Sequence, residues 1–254
     1  MRIIIITQDD PFYLAENLDY LFASLPSYAE VVGCVVGSVS PFGKKESLLQ
    51  KALTTQRIFG TGFFLRYAMR YVLAKINPRK KVLKVLKKHG IERLELFDSI
   101  NSPASLDLLR ARKPDLLISI AGNEIFRQPL IDLASKGCLN LHTALLPKYR
   151  GLMPSFWVLK NREKETGVSV YYVDEGIDSG PIVVQKRIEL NGMSQEKLIL
   201  HSKRIGMNAI LEAVDLIQND KVLLIRNADC EKSYYSFPTR EDVIAFGKAG
   251  AKFY

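Results

Sequence analysis

The 254-residue chain is 47% hydrophobic and 25% charged, which excludes a disordered or fibrous protein and gives a core large enough to fold without disulfides or metals. Its net charge of +9 is concentrated: residues 44–90 carry thirteen Lys and Arg against the single acid Glu46, a local +12 that leaves −3 for the rest. The basicity belongs to one segment and not to the whole protein.

RIIIIT (2–7) is a β-branched run ended by the polar cluster TQDDP, the pattern of a strand buried on both faces. Residues 11–25 space Phe12, Leu14, Leu18, Leu21 and Phe22 for a helix. EVVGCVVGSV (30–39) reads as a second strand, LELF (94–97) as a third, and DLLISI (115–120) as a fourth, preceded by helical LDLLRARK. PLIDLAS is a short helix leading into GCLNLH (137–142), the fifth strand. This alternation predicts an α/β, Rossmann-like fold: a mostly parallel twisted sheet with helices on both faces. VSVYYV (168–173) and PIVVQKRIEL (181–190) then flank the short loop DEGIDSG, which predicts an antiparallel addition in the C-terminal half. Residues 194–219 form a long amphipathic helix, and after it comes a tail with a short helix capped by Thr239.

TQDDPF offers no glycines after the first strand, and GTG at 60–62 follows no strand, so a glycine-rich nucleotide site is not expected. The three cysteines, Cys34, Cys138 and Cys230, lack CxxC spacing and read as reduced thiols. No metal is expected: of the three histidines, His89 and His201 lie in the basic segment and the late helix. MRIIIITQDD lacks the pattern of a signal peptide, and no run of about 18 apolar residues could span a membrane. A cytoplasmic protein is expected.

Ligands of open α/β sheets bind outside the carboxyl ends of the strands. Asn140 and His142 fall there, two apart and so on one face of the fifth strand. The loop AGNEIF (121–126) and the acids Asp174, Glu175 and Asp178 of DEGIDSG should line the same cleft. An Asn amide donates to an oxyanion, a His acts as base and then imidazolium, and an Asp holds that imidazolium. This is a set for acyl chemistry, although Asn140 and His142 would equally serve as a hydrogen-bonded strand end. Cys138 shares their parity, which leaves a thiol nucleophile open beside a core role.

GCLNLHTALLPKYRG followed by KETGVSVYYVDEGIDSGPIV resembles the signature of the folate-dependent formyltransferases, which act on glycinamide ribonucleotide, methionyl-tRNA or nucleotide-linked amino sugars. The resemblance is strongest from about Pro114 to Glu189 and weaker over the first strand and helix. It implies that Asn140, His142 and Asp178 are the catalytic trio, with 10-formyltetrahydrofolate as formyl donor. It also implies that Asn123, Glu124, Ile125 and Phe126, with Asp174, Glu175, Gly176 and Ile177, hold the pterin, largely through backbone groups. Residues 1–225 would then be the catalytic domain, with a basic helical insertion at about 44–90, and 226–254 a short extension.

Three acceptors compete. TQDDPF departs from the glycine-containing phosphate loop of the glycinamide ribonucleotide enzymes. Only about thirty residues follow Ile225, fewer than the further domain of the methionyl-tRNA enzymes. An amine on a nucleotide-linked sugar is therefore the first expectation. GLMPSFWVLKNREKETG supports it by resembling the aromatic-bearing loop of the sugar enzymes, though Phe156 and Trp157 would also suit a helix face packed on the sheet. Methionyl-tRNA is the alternative acceptor, and water a further one, giving a formyl-folate hydrolase. FFLRYAMRYVLAKINPRKKVLKVLKK interleaves aromatics and cations at helical spacing, so the basic segment reads as helices with solvated faces, or as a surface for tRNA or an anionic membrane.

Overall fold

The computed structural model describes residues 1–37, 47–77, 80–122 and 124–254, apart from the side chain of Leu48. Five strands, β1 (Arg2–Gln8), β2 (Glu30–Gly37), β3 (Arg93–Leu94), β4 (Leu116–Ile120) and β5 (Cys138–His142), pair in parallel. The short β6 (Arg150–Gly151) lies outside this sheet. Two long strands, β7 (Glu165–Tyr172) and β8 (Ile182–Glu189), extend the sheet antiparallel to β5 and to each other, giving the order β3-β2-β1-β4-β5-β7-β8. This is the expected mixed α/β architecture.

The run RIIIIT is apolar at nearly every position because both faces are covered. Ile3 and Ile5 join the larger core, packed by α1 (Leu14–Ser24), α4 (Val82–Lys88), α7 (Pro154–Lys160), α8 (Gln195–Gln218) and α9 (Arg240–Lys248). Ile4 and Ile6 enter the smaller core under α5 (Pro103–Arg110) and α6 (Gln128–Ile131). Ser102, Ser194 and Thr239 each accept a backbone N–H at a helix start, where a short hydroxyl side chain satisfies an otherwise unpaired donor. The third strand is shorter than LELF suggests: it stops at Leu94, and Phe97 is 94% exposed. Residues 38–39 of the expected second strand, and 44–46 and 78–79 of the basic segment, lie outside the described residues.

Within the basic segment α2 (Leu48–Phe59) and α3 (Thr61–Ile76) meet at Gly60, whose φ of 87° is a left-handed value that glycine adopts without strain. The C-terminal residues fold back on residues 150–182. β9 (Tyr234–Tyr235) pairs in parallel with β6, and Ile225 bridges Ile182. Phe246 of α9 stacks on Phe156 of α7, centroids 4.7 Å apart and rings within 8° of parallel. Trp157 donates its indole N–H to the Ser236 carbonyl at 3.1 Å. Phe156 and Trp157 are thus a buried helix face and not a stacking platform for a base.

Candidate active site

The register of β5 against β7 builds the site. Asn140 pairs with Tyr171 and His142 with Ser169, so the Asn140 and Tyr171 side chains rise side by side from one face. Because β7 is antiparallel, its end lies beside Cys138 and not beside His142. The loop 173–181 therefore doubles back across the face to deliver Asp178. Gly180 permits this return, since a Cβ there would lie 1.7 Å from the Tyr172 carbonyl oxygen.

Asp178 takes the left-handed backbone conformation (φ 49°), uncommon outside glycine, and four hydrogen bonds hold the turn there. Its Oδ2 accepts from the Gly151 N–H and its Oδ1 from the Tyr171 hydroxyl, both at 2.7 Å. The Asn227 amide donates to the Asp178 and Gly180 carbonyls, both at 2.9 Å. Asn227 is itself aimed by Arg150, whose guanidinium donates to the Asn227 Oδ1 at 2.9 Å and to Asp229 at 2.8 Å.

His142 is buried, with Nε2 2.7 Å from the Tyr149 carbonyl and Nδ1 3.5 Å from the Asp178 Oδ2. A carbonyl only accepts, so Nε2 carries hydrogen. Both ring nitrogens thus face oxygens. The Asn140 Nδ2 donates to the Tyr171 hydroxyl at 2.9 Å. Since a carboxylate accepts only, Tyr171 must donate to Asp178 and accept from Asn140, and this fixes the amide with its NH2 toward the site. One amide hydrogen goes to Tyr171 and the second remains for a ligand. Burial first, and the Asp178 charge second, push the Tyr171 hydroxyl well above its ordinary pKa, so it stays a neutral relay.

Asn140, His142, Asp178 and Tyr171 line a cleft of about 500 Å³. Glu124, Ile125 and Phe126 line it, as do Asp174, Gly176 and Ile177; Glu175 is exposed and absent from the lining. Asn123 lies outside the described residues. Glu124 accepts from the Ser99 hydroxyl at 2.6 Å, and the Ile125 carbonyl accepts from the Asn101 amide at 2.9 Å, pinning this loop to the turn before α5. Asp174 accepts from the Ser179 hydroxyl at 2.5 Å, closing the other loop on itself. Cys138 is buried and its thiol is pushed up to about 12 by that burial, so it is no thiolate nucleophile. Helix α8 contributes Lys203 to the lining, and burial holds its pKa below the ordinary lysine value against the opposing charge of Asp10. Among the described residues no cluster of His, Cys, Asp and Glu could hold a metal ion.

Tyr171, Asn227 and Lys203 escape a reading of motifs. Tyr171 becomes visible only once the β5–β7 register is known. A Tyr171→Phe variant, which keeps the ring and loses the relay, should lower kcat about 10- to 100-fold while leaving KM for the donor within about threefold, on the scale of one lost hydrogen bond to a charged group. Steady-state kinetics measures the split.

Residues 67–214 match the family described as formyl transferase. A methionyl-tRNA formyltransferase from Kosmotoga olearia is 35% identical over 151 residues, covering 58% of this chain and 47% of that protein. Another, from Thermodesulfovibrio yellowstonii, is 40% identical over 108 residues, 42% of this chain and 35% of that one. The chain spans about half the length of the curated relatives it matches. Among solved structures, glycinamide ribonucleotide transformylase 1 from Symbiobacterium toebii superposes with a TM-score of 0.62 at 18% identity, over 89% of this chain and 92% of that one. A 4-N formyltransferase from Francisella tularensis gives 0.60 at 17% identity, over 97% and 87%. These two share the fold. By the matched residues the chain belongs to the formyl transferase family, that of the folate-dependent formyltransferases.

Proposed function

We propose that this protein transfers a formyl group from 10-formyltetrahydrofolate to a primary amine, with Asn140, His142 and Asp178 as the catalytic residues. The observation that carries the reading is the hydrogen-bonded run Asn140–Tyr171–Asp178 with His142 against Asp178, at the wall of one cleft. The cleft fits the donor: its volume is that of a small-molecule site, and the apolar Ile125, Phe126 and Ile177 with nearby backbone groups suit a flat heterocycle. When bound, the donor supplies an activated formyl carbon.

The chain's residues do the rest. The second Asn140 amide hydrogen and the His142 ring stabilise negative charge on the formyl oxygen as the amine adds. Asp178 holds the imidazolium by its charge and lies within reach to move the amine's proton toward the leaving nitrogen. Lys203 adds an amino group to the lining, a hydrogen-bond donor that suits an acceptor carrying phosphate.

For the acceptor, the similarities favour the amine of methionyl-tRNA over the amino-sugar nucleotide that the motifs put first. Relatives at 30–40% identity carry the tRNA enzyme's name, whereas sugar N-formyltransferases enter through structures at 15–16% identity, a level that speaks for fold alone. Incubating the protein with 10-formyltetrahydrofolate and methionyl-tRNA, an amino-sugar nucleotide, glycinamide ribonucleotide or water alone, and monitoring tetrahydrofolate release, tests each case. Release with no amine present would indicate the hydrolase; no release in any arm would sink the proposal.

Donor binding is a separate expectation. Saturating 5-formyltetrahydrofolate, at about a hundred times its Kd, should stabilise the protein by ~2.7 kcal/mol and raise Tm by roughly 5–10 °C for a chain of this size. Differential scanning fluorimetry, with calorimetry for Kd, reads this directly.

A further inference from the structure

The α2–α3–α4 segment carries an apolar surface that the catalytic reading does not use. On α3, Leu65, Met69, Val72, Leu73 and Ile76 are each more than half exposed. At about 100° per residue they fall within a sector roughly 100° wide. The opposite face of the helix is already occupied: Phe63 packs edge-on against Phe253, Tyr67 packs on Phe12, and Ala74 is buried. Among the described residues the aliphatic stripe therefore covers nothing.

Its borders are positive. By the same helical count Arg66 and Lys75 flank the stripe on its two sides. Residues 47–91 hold eleven Lys and Arg and no acid at all; acids from outside the segment pair with Arg70, Lys75, Lys80 and Lys88, while Lys81, Lys84 and Lys87 stand exposed. On α4 the exposed Lys84 and Lys87 accompany a part-exposed Leu83. No helix among the described residues is long and apolar enough to cross a membrane.

We infer that this face seats the protein on an anionic lipid bilayer, aliphatics in the acyl boundary and cations on the headgroups. A second copy fits poorly, because a self-complementary pairing would set cations against cations with no acid in the segment to answer them. RNA would answer the charge but leave five exposed aliphatics unpaired with anything apolar. The hairpin also adjoins the active cleft: Phe59 of α2 packs edge-on against Phe237, which lines it. A docked protein thus holds its cleft close to the membrane surface. The inference does not depend on which amine is formylated.

Co-sedimentation of the full chain with phosphatidylcholine vesicles, with and without phosphatidylglycerol, tests it at two salt concentrations. Binding to the anionic vesicles should exceed binding to the neutral ones by about tenfold or more at low salt, on the scale of a few surface cations, and weaken as salt rises. The combined Leu65→Gln, Met69→Gln, Leu73→Gln variant should lose binding, and Lys81→Gln, Lys84→Gln, Lys87→Gln should lose about fivefold per charge. Both should keep the wild-type Tm and turnover on a small soluble amine; if one set fails to fold, the other decides. Absence of binding to anionic vesicles overturns the inference. So does vesicle binding indifferent to the glutamine set, with tRNA retained in a gel shift marking an RNA surface instead. A wild-type dimer by light scattering that the glutamine set abolishes would assign the stripe to a second copy.

Discussion

Asp178→Asn is expected to lower kcat by about two to four orders of magnitude, the range for loss of a proton-transfer or charge-stabilising group. The geometry makes this substitution harsher than its size suggests. Both carboxylate oxygens accept from donors, Oδ2 from the Gly151 N–H and Oδ1 from the Tyr171 hydroxyl. An amide in either orientation must turn its NH2 toward one of them. Facing Gly151 it sets donor against donor. Facing Tyr171 it reverses the hydroxyl, which then donates toward Asn140 and forces that amide to flip. The amide donor of Asn140 is turned away, and the negative charge facing the His142 ring is lost with it. Thermal stabilisation by 5-formyltetrahydrofolate should persist, which separates a chemical defect from a binding one. Turnover near wild type would remove Asp178 from the mechanism.

His142→Ala should cost a similar two to four orders of magnitude in kcat, about 3–5 kcal/mol of transition-state stabilisation. The ring is the link between the Tyr149 carbonyl and the Asp178 carboxylate, so its loss leaves the buried Tyr149 carbonyl without its donor and removes one group facing that carboxylate. Because that could loosen the site, His142→Gln is the companion variant: it retains a donor to Tyr149 and fills most of the volume. Single-turnover formyl transfer should be slow in both, with no recovery on raising the amine concentration. If either enzyme turns over at the wild-type rate, the histidine is a strand-end residue after all.

Much of the fold and part of the site are legible in the chain itself, for reasons that differ by element. RIIIIT and DLLISI announce strands because both sheet faces are covered and nearly every side chain must be apolar. Asn140 and His142 stand out because a strand that ends in polar residues of equal parity points them at one place. Spacing could not reveal Tyr171, since its partner lies thirty-one residues earlier and is chosen by the pairing register. Nor could it show that Glu175, between two cleft residues, turns to solvent. The basic segment shows its charge but not its exposed stripe, because Phe63 and Leu65 look alike in a sequence while one is packed and the other bare. LELF promises more strand than forms: the pairing with β2 ends at Leu94, although β2 itself runs on to Gly37.

The reach of Asn227 into the aspartate loop ties the end of the chain to the chemistry. Arg150 orients Asn227, Asn227 grips the two carbonyls around the Asp178 turn, and β9 and α9 anchor the residues beyond it. Tail docking and loop order are therefore coupled, and each favours the other by the same coupling free energy. A donor analogue that orders Asp174–Asp178 should accordingly slow proteolytic nicking near Asn227, on a surface it never touches.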